Sequence, residues 1–276
     1  MKIGSGAGAE RRADTDWPKG VGLIRLAEVD STSAEAFRLA RSGETGPLWI
    51  VSVCQTAGRG RSGRHWQSEP GNLYASFLFQ PSAPAVALHQ LAFVAGVAAH
   101  EVLAQRLANS GANGAIRLKW PNDLLFDDAK IGGILTEATT VDGRGYVVIG
   151  IGLNIRHAPT VAGRATTSLA EAGVAISAGQ LLPHLAFALD RWLAIWHESS
   201  GFAAVREAWC KNGPIIGQPL TVSDAAENSS ALSKSRRQGR FAGLDDDGAL
   251  LLLDEAGDVA RVTYGDVTHG WGTSVI

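Results

Sequence analysis

Between Gly58 and Trp66 the chain reads GRGRSGRHW. Arg59, Arg61 and Arg64 stand two and three residues apart, with Gly58, Gly60 and Gly63 set between them. Guanidinium groups are planar, permanently charged donors matched to carboxylate and phosphate oxygens. Glycine lets a main chain approach a ligand closely. The chemistry within reach of such a segment is the binding of an anion, carried by a small molecule or by a nucleic acid. It lacks a Gly-Lys-Ser/Thr ending, so it is no Walker A loop. The spacing G-x-G-x-x-G does occur, but arginines fill it and no helical pattern follows, which argues against a dinucleotide fingerprint.

Three more segments carry groups that could act on a bound anion. In KWPNDLLF, Lys119 to Phe126, Pro121 stops a strand and leaves Asn122 and Asp123 in a turn, where an amide and a carboxylate can face a cleft. In KIGGILTE, Lys130 sits beside Gly132 and Gly133, and in GIGLN, Gly150 and Gly152 precede Asn154. Glycines in apolar strands mark places where a ligand or a second backbone passes closely. A zinc site is not indicated, because no His-Glu-x-x-His or clustered Cys/His set is present. Nor is there a G-x-S-x-G elbow, which lowers the case for a hydrolase. Cys54 and Cys210 have neither metal-ligand spacing nor a disulfide framework and read as reduced thiols.

The elements that must position these residues follow from periodicity. VGLIRLAEV reads as a strand, then DSTSAEAFRLARSG as a helix capped at Asp30 or Ser31 and ending at Gly43. PLWIVSVCQ and NLYASFLFQ read as strands flanking the Arg/Gly loop, and LHQLAFVAGVAAHEVLAQRLA as a long helix. AIRLKW, DLLFDDAKIGGILTEATT and GYVVIGIGLNI read as further strands, the last almost wholly apolar and so central in its sheet. Helical patterning returns from Gln180 to about Asn212, with Trp192, Trp196 and Trp209 as core residues. The Gly- and Pro-rich GPIIGQP then marks a boundary. Short strands with turn signals DDDG and EAGD follow, as in a small all-β barrel. The expected organisation is a loose tail over 1–20, a large mixed α and β domain over 21–213 and a β module over 214–276. The class is α+β with a mixed sheet.

Composition narrows the function. A 45% hydrophobic content with 19% charged residues supports a sizeable core. A formal net charge of −2 argues against a general nucleic-acid coating surface, so the anion chemistry is local. The basic run Lys234, Arg236, Arg237 and Arg240 reads as a solvated loop. No apolar run approaches the roughly 18 residues of a membrane span, and no secretory h-region opens the chain. A cytoplasmic protein is expected.

The Arg-rich loop, Lys-Trp-Pro-Asn-Asp, Lys-x-Gly-Gly-Ile-Leu and Gly-Ile-Gly-Leu-Asn, in that order, resemble the biotin protein ligases. The likeness runs from about residue 22 to 276 and includes GRFAGLDDDGALLLLDEAG, similar to that family's C-terminal SH3-like domain. It implies a mixed-sheet catalytic domain of the biotin/lipoate ligase type. It further implies two steps: biotin's carboxylate attacks the α-phosphate of ATP, and a carrier lysine then attacks the biotinyl-5′-adenylate. ATP, biotin and Mg²⁺ are the implied small molecules. The implied partner is a biotin carboxyl carrier domain, as in acetyl-CoA carboxylase. A DNA partner is not expected, since a tail of about 20 residues leaves no room for a helix-turn-helix. A monomer and a homodimer both stay open.

Carried over by motif position, Ser31, Thr32 and Gln55 would bind biotin's ureido ring, with Ser33 standing where Asn is more frequent. Trp66 would form an apolar wall, and Gly133, Leu135, Gly150 and Gly152 would line the valeryl chain. Arg59, Arg61 and Arg64 would face carboxylate and phosphates, with Gly58 and Gly60 letting backbone N–H groups close around them. Lys130 would hold the reacting oxygens, and Asn122 and Asn154 the nucleotide. Asp123 has two candidate roles, as a Mg²⁺ ligand or in deprotonating the acceptor amine. The segment from Arg156 to Ala170 is expected to close over the adenylate. Three competing readings are a lipoate ligase, a non-catalytic biotin sensor and an RNA-binding module in which Trp66 stacks a base.

Overall fold

The computed structural model describes residues 16–82, 87–197, 200–223 and 236–269. Seven strands form the main sheet: β1 (Gly22–Val29), β2 (Leu48–Gln55), β3 (Leu73–Phe79), β4 (Ile116–Lys119), β5 (Asp123–Phe126), β6 (Ala129–Val141) and β7 (Arg144–Leu153). Their order is β1-β2-β3-β7-β6-β5-β4. Only β1 and β2 pair in parallel; the other neighbours are antiparallel. The apolar β7 is the middle strand, as its composition predicts.

Alternation along the strands sends neighbouring side chains to opposite faces. On β2, Trp49 and Val51 join the large core while Leu48 and Ile50 join a smaller one. The small core is closed by α1 (Thr32–Arg41) through Ala36 and Ala40. The large core is closed by α2 (Leu88–Ser110), α3 (Ala178–Trp196) and α4 (Phe202–Asn212). Ser31 caps α1 by accepting from the Ala34 N–H, and a reciprocal Ser177–Gln180 capping box starts α3. Helix α2 ends at Gly111, whose left-handed φ of 72° suits glycine. By length and composition α2 could cross a membrane, but 67% of its apolar window is buried inside this fold. It is the core helix.

Five strands form a second, antiparallel sheet: β8 (Pro219–Ser223), β9 (Arg236–Leu244), β10 (Leu250–Leu253), β11 (Val259–Val262) and β12 (Asp266–His269). Their order is β11-β10-β9-β8-β12. The two hairpin signals fall between β9 and β10 and between β10 and β11. In the first, Asp245 Oδ1 accepts from the N–H groups of Asp247 and Ala249. The α+β class with a mixed sheet is the class found.

Two expectations need correction. Trp17, expected in a loose tail, is only 9% exposed and donates from Nε1 to the Val21 carbonyl; residues 1–15 lie outside the described residues. Arg236, Arg237 and Arg240 sit on β9 rather than in a loop, paired in register with β8; Lys234 lies outside the described residues. The apolar core runs on past residue 213. Trp209 of α4 packs between Phe93 of α2 and Phe241 of β9, at ring-centroid distances of 5.5 and 6.4 Å. The Trp120 indole donates to the Gly248 carbonyl at 3.1 Å across the same seam.

Candidate active site

A cavity of about 540 Å³ opens on the main sheet between the start of α1, the Arg/Gly loop, β6, β7 and the segment 159–166. All the sequence-predicted site residues line it except Gly58. Its walls change character from one end to the other.

One end is built of small hydroxyls and one amide. The Thr32 N–H and Oγ1 both donate to Gln55 Oε1, at 2.8 and 3.2 Å. Ser76 of β3 stands within hydrogen-bond distance of Thr32 Oγ1 (2.8 Å) and of Ser33 Oγ (3.0 Å). Ser31, Thr32, Ser33 and Ser76 are all buried. Buried polar groups pinned in this way present fixed donors and acceptors to a polar ring. Ser76 does not line the cavity but backs Thr32 and Ser33 from within the sheet; it was not anticipated, and the signal was a hydroxyl inside the otherwise apolar LYASFLF.

The middle is a glycine floor. Pairing of β6 with β7 sets Gly133 opposite Gly152 and Leu135 opposite Gly150. The indole of Trp66 lies on this floor: a Cβ on Gly152 would sit 2.7 Å from its ring carbons, and one on Gly133 3.4 Å from Cζ3. The glycines therefore make room for the indole. Trp66 Nε1 is buried with no hydrogen-bond partner among the described residues.

The other end is charged. Lys130 Nζ donates to Asp123 Oδ1 at 2.5 Å and lies 5.2 Å from the Trp66 ring centroid. Arg164 approaches Asp123 Oδ2 at 3.9 Å. Burial alone would raise the Asp123 carboxyl's pKa, but Lys130, Lys119 and Arg164 outweigh it and hold the group below the ordinary carboxylate range. Burial pushes the Lys119 ammonium down from the usual lysine value. Arg61 donates to Asn122 Oδ1 at 3.3 Å, while Asn122 Nδ2 donates to the Ile134 carbonyl. Asn154 ties the Lys130 strand to the covering segment, donating to the carbonyls of Thr167 and Lys130. That segment is joined to the Lys130 main chain on both sides, Lys130 N–H to Ala165 O and Thr167 N–H to Lys130 O.

Because the folded Asp123 carboxyl binds its proton more weakly than in the unfolded chain, it stabilises the fold above the ordinary carboxylate pKa. The contribution is lost as pH falls from about 4 through the lower folded value. Asp123→Asn is expected to be less stable than wild type at neutral pH and to lose less on acidification. Urea midpoints measured from about pH 6 to pH 3 check this.

The glycines of the Arg/Gly loop also serve its own folding. The N–H groups of Gly60 and Trp66 donate to the carbonyls of Arg64 and Gly58, so the loop is a small closed hairpin around a 3₁₀ turn at Arg61–Gly63. Gly58 serves that folding: a Cβ there would meet the Trp66 carbonyl at 2.6 Å and Gln55 Nε2 at 2.9 Å. The guanidinium groups have acidic neighbours. Of these, Arg59 faces Glu137 at 3.7 Å. Arg64 faces Asp266 of β12, donating to both carboxylate oxygens at 2.8 and 3.2 Å. Sequence reasoning missed Asp266 because 202 residues separate the partners. Lys119 stood in a quoted segment but read as a strand end, and Arg164 lay in a loop without pattern.

A resident divalent cation does not fit these residues. No group of three His, Cys, Asp or Glu converges among the described residues. The two carboxylates lining the cavity, Asp123 and Asp266, already face Lys130, Arg164, Arg61 and Arg64.

The chain is similar to several known proteins. Residues 27–154 match the model of the biotin/lipoate A/B protein ligase family. The biotin--[acetyl-CoA-carboxylase] ligase of Paracoccus denitrificans is 36% identical over 239 residues, covering 84% of this chain and 94% of that protein. A biotin protein ligase from Aquifex aeolicus, solved in complex with biotin and ATP, superposes with a TM-score of 0.71 at 28% identity, over 90% of this chain and 97% of that one. The biotin protein ligase of Leishmania major, in complex with biotinyl-5-AMP, gives 0.59 at 25% identity, over 87% and 98%. With a relative at this identity matched along nearly its whole length, the chain belongs to the biotin protein ligase family.

Proposed function

We propose that the protein joins biotin to ATP, forming biotinyl-5′-adenylate and pyrophosphate, and transfers the biotinyl group to a lysine of a biotin carboxyl carrier domain in the cytoplasm. The observation that carries the reading is the polarity of the cavity. Hydroxyls and the Gln55 amide close one end, an apolar glycine and Trp66 floor runs along the middle, and Lys130 stands at the other end. That sequence matches a ureido ring, an aliphatic chain and a carboxylate in order. The Aquifex and Leishmania relatives, solved with biotin and ATP or with the adenylate, support the same assignment.

In the first step a carboxylate oxygen attacks the α-phosphorus and pyrophosphate leaves. Two anions meet, so cations must offset their repulsion and follow the charge as it moves. Lys130 and Arg61, with Lys119 and Arg164 nearby, supply that field. Asp123 aims the Lys130 ammonium through their short contact. Magnesium enters with ATP as part of the substrate. In the second step the carrier amine attacks the acyl carbon and AMP leaves. A free lysine amine has a pKa of about 10.4 and must be neutral to attack. Asp123, held below the ordinary carboxylate range, is a weak base for that proton. The cations around it disfavour a further ammonium and so lower the amine's pKa by like-charge repulsion. The covering segment 159–166 keeps water from the mixed anhydride.

The test is pyrophosphate release from ATP and Mg²⁺, with biotin and with lipoate as alternative acids. Biotin-dependent release with little response to lipoate is expected, because the buried hydroxyl and amide partners reject an acid that cannot match them, by about 10²-fold or more. Equal rates with both acids, or none with either, would overturn the reading.

A further inference from the structure

The turn between β11 and β12 of the second sheet grips the Arg/Gly loop of the first. Asp266 holds both terminal nitrogens of Arg64 and lies 3.6 Å from Arg61. Arg64 Nε donates to the Arg61 carbonyl at 3.2 Å, which ties the two arginines together. The Arg61 guanidinium also faces the Gly265 carbonyl at 3.5 Å and stacks 5.6 Å above the Tyr264 ring. Ser62 Oγ and the Tyr264 hydroxyl are 3.1 Å apart. The turn itself is held in place. Asp266 pairs with Ser223 of β8, and Gly265, at φ 143°, lies so close to Val222 that a Cβ would approach it to 2.7 Å. A carboxylate fixed on a strand places its partner more accurately than one on a loop.

We propose that Asp266 is a positioning residue for the adenylation step: it fixes Arg64, and through the loop Arg61, so that the second sheet sets how well the cavity receives the phosphates of ATP. The proposal rests on the ligase reading above. Asp266 touches neither the hydroxyl end nor the glycine floor, and its effect belongs to the nucleotide alone. Arg64 is then a staple rather than a phosphate ligand. The opposite possibility, that Asp266 competes with phosphate for the arginines, predicts the reverse sign and is separable by one experiment.

That experiment compares wild type with Asp266→Asn, Asp266→Glu, Arg64→Gln and the Arg64→Gln/Asp266→Asn pair. Asp266→Asn is expected to raise KM for ATP by about tenfold or more, the scale of losing a bidentate charged contact. The dissociation constant for biotin stays within about twofold, Asp266→Glu recovers part of the loss, and the double variant is no worse than the worse single. Brief trypsin treatment followed by mass spectrometry reads the staple without any catalysis. Cleavage after Arg59 and Arg61 is expected to accelerate in Asp266→Asn. An unchanged or lowered KM for ATP overturns the proposal, as does an equal loss of biotin affinity or an unchanged cleavage rate. If the wild type releases no biotin-dependent pyrophosphate, the ligase reading fails, and the tryptic rates still report on the staple.

Discussion

Lys130→Ala is expected to lower biotin-dependent pyrophosphate release by about 10²–10³-fold, the usual loss when one donor aimed at developing transition-state charge is removed. Lys130 is the cation nearest the junction between the apolar floor and the arginines, 5.2 Å from the Trp66 ring centroid and paired with Asp123. Its removal does not strand the carboxylate, because Arg164 and Lys119 remain beside Asp123. The variant should therefore fold, and the loss belongs to chemistry. Biotin, held mainly at the far end by Thr32, Gln55 and their neighbours, should still bind, with a smaller change in affinity than in rate. Lys130→Arg does not restore the wild-type rate, since a planar fork cannot take the place of a compact ammonium on a 2.5 Å contact. Rates from single-turnover mixing, alongside biotin titrations of the same preparations, check both parts. A rate within about threefold of wild type in Lys130→Ala would remove Lys130 from the reaction.

The largest effect on stability is expected from Trp209→Ala, about 3–5 kcal/mol. Trp209 is 1% exposed and touches aromatic rings of α2 and β9 together. Deleting it opens a cavity at the seam between the two sheets, where neither side can collapse alone. For a chain of this size the loss corresponds to a fall in Tm of roughly 5–10 °C. Phe187→Ala, at a ring that is 44% exposed, is the control and should change stability by no more than about 0.5 kcal/mol. Since one core runs through both sheets, the wild type should melt in a single transition. A second sheet that melts separately, at a temperature indifferent to Trp209, would show the seam to be no more than a contact.

The secondary structure was legible wherever one residue type repeated with a clear period. The strands of the main sheet, the four helices and the hairpin turns of the second sheet were all readable from alternation, apolar runs and Asp/Gly pairs. Lys130 and Asp123 stood out in short local motifs and Ser31, Thr32 and Gln55 through the family resemblance, and all five line one cavity. What local patterns do not carry is who meets whom across the fold. Asp266 is a common strand-start residue until Arg64 arrives opposite it from 202 positions away. Gly133 and Gly152 announced a close approach, but not that an indole makes it. Trp17 looked like a tail residue because its neighbours are polar, while the space that receives it is formed by distant strands and helices. The boundary near residue 213 was read from Gly and Pro, which report a change of chain direction and are silent about whether the core continues.

The staple also imposes an order on synthesis. Domains fold from the N-terminal side as the chain leaves the ribosome, and β1 through β7 with their helices are complete long before β12 exists. Yet the loop that carries Arg61 and Arg64 finds its anchor only when Asp266 has emerged and paired with β8. Because one core runs through both sheets, a chain that stops before β12 lacks the partner of Arg64 and the strand that pairs with β8 together.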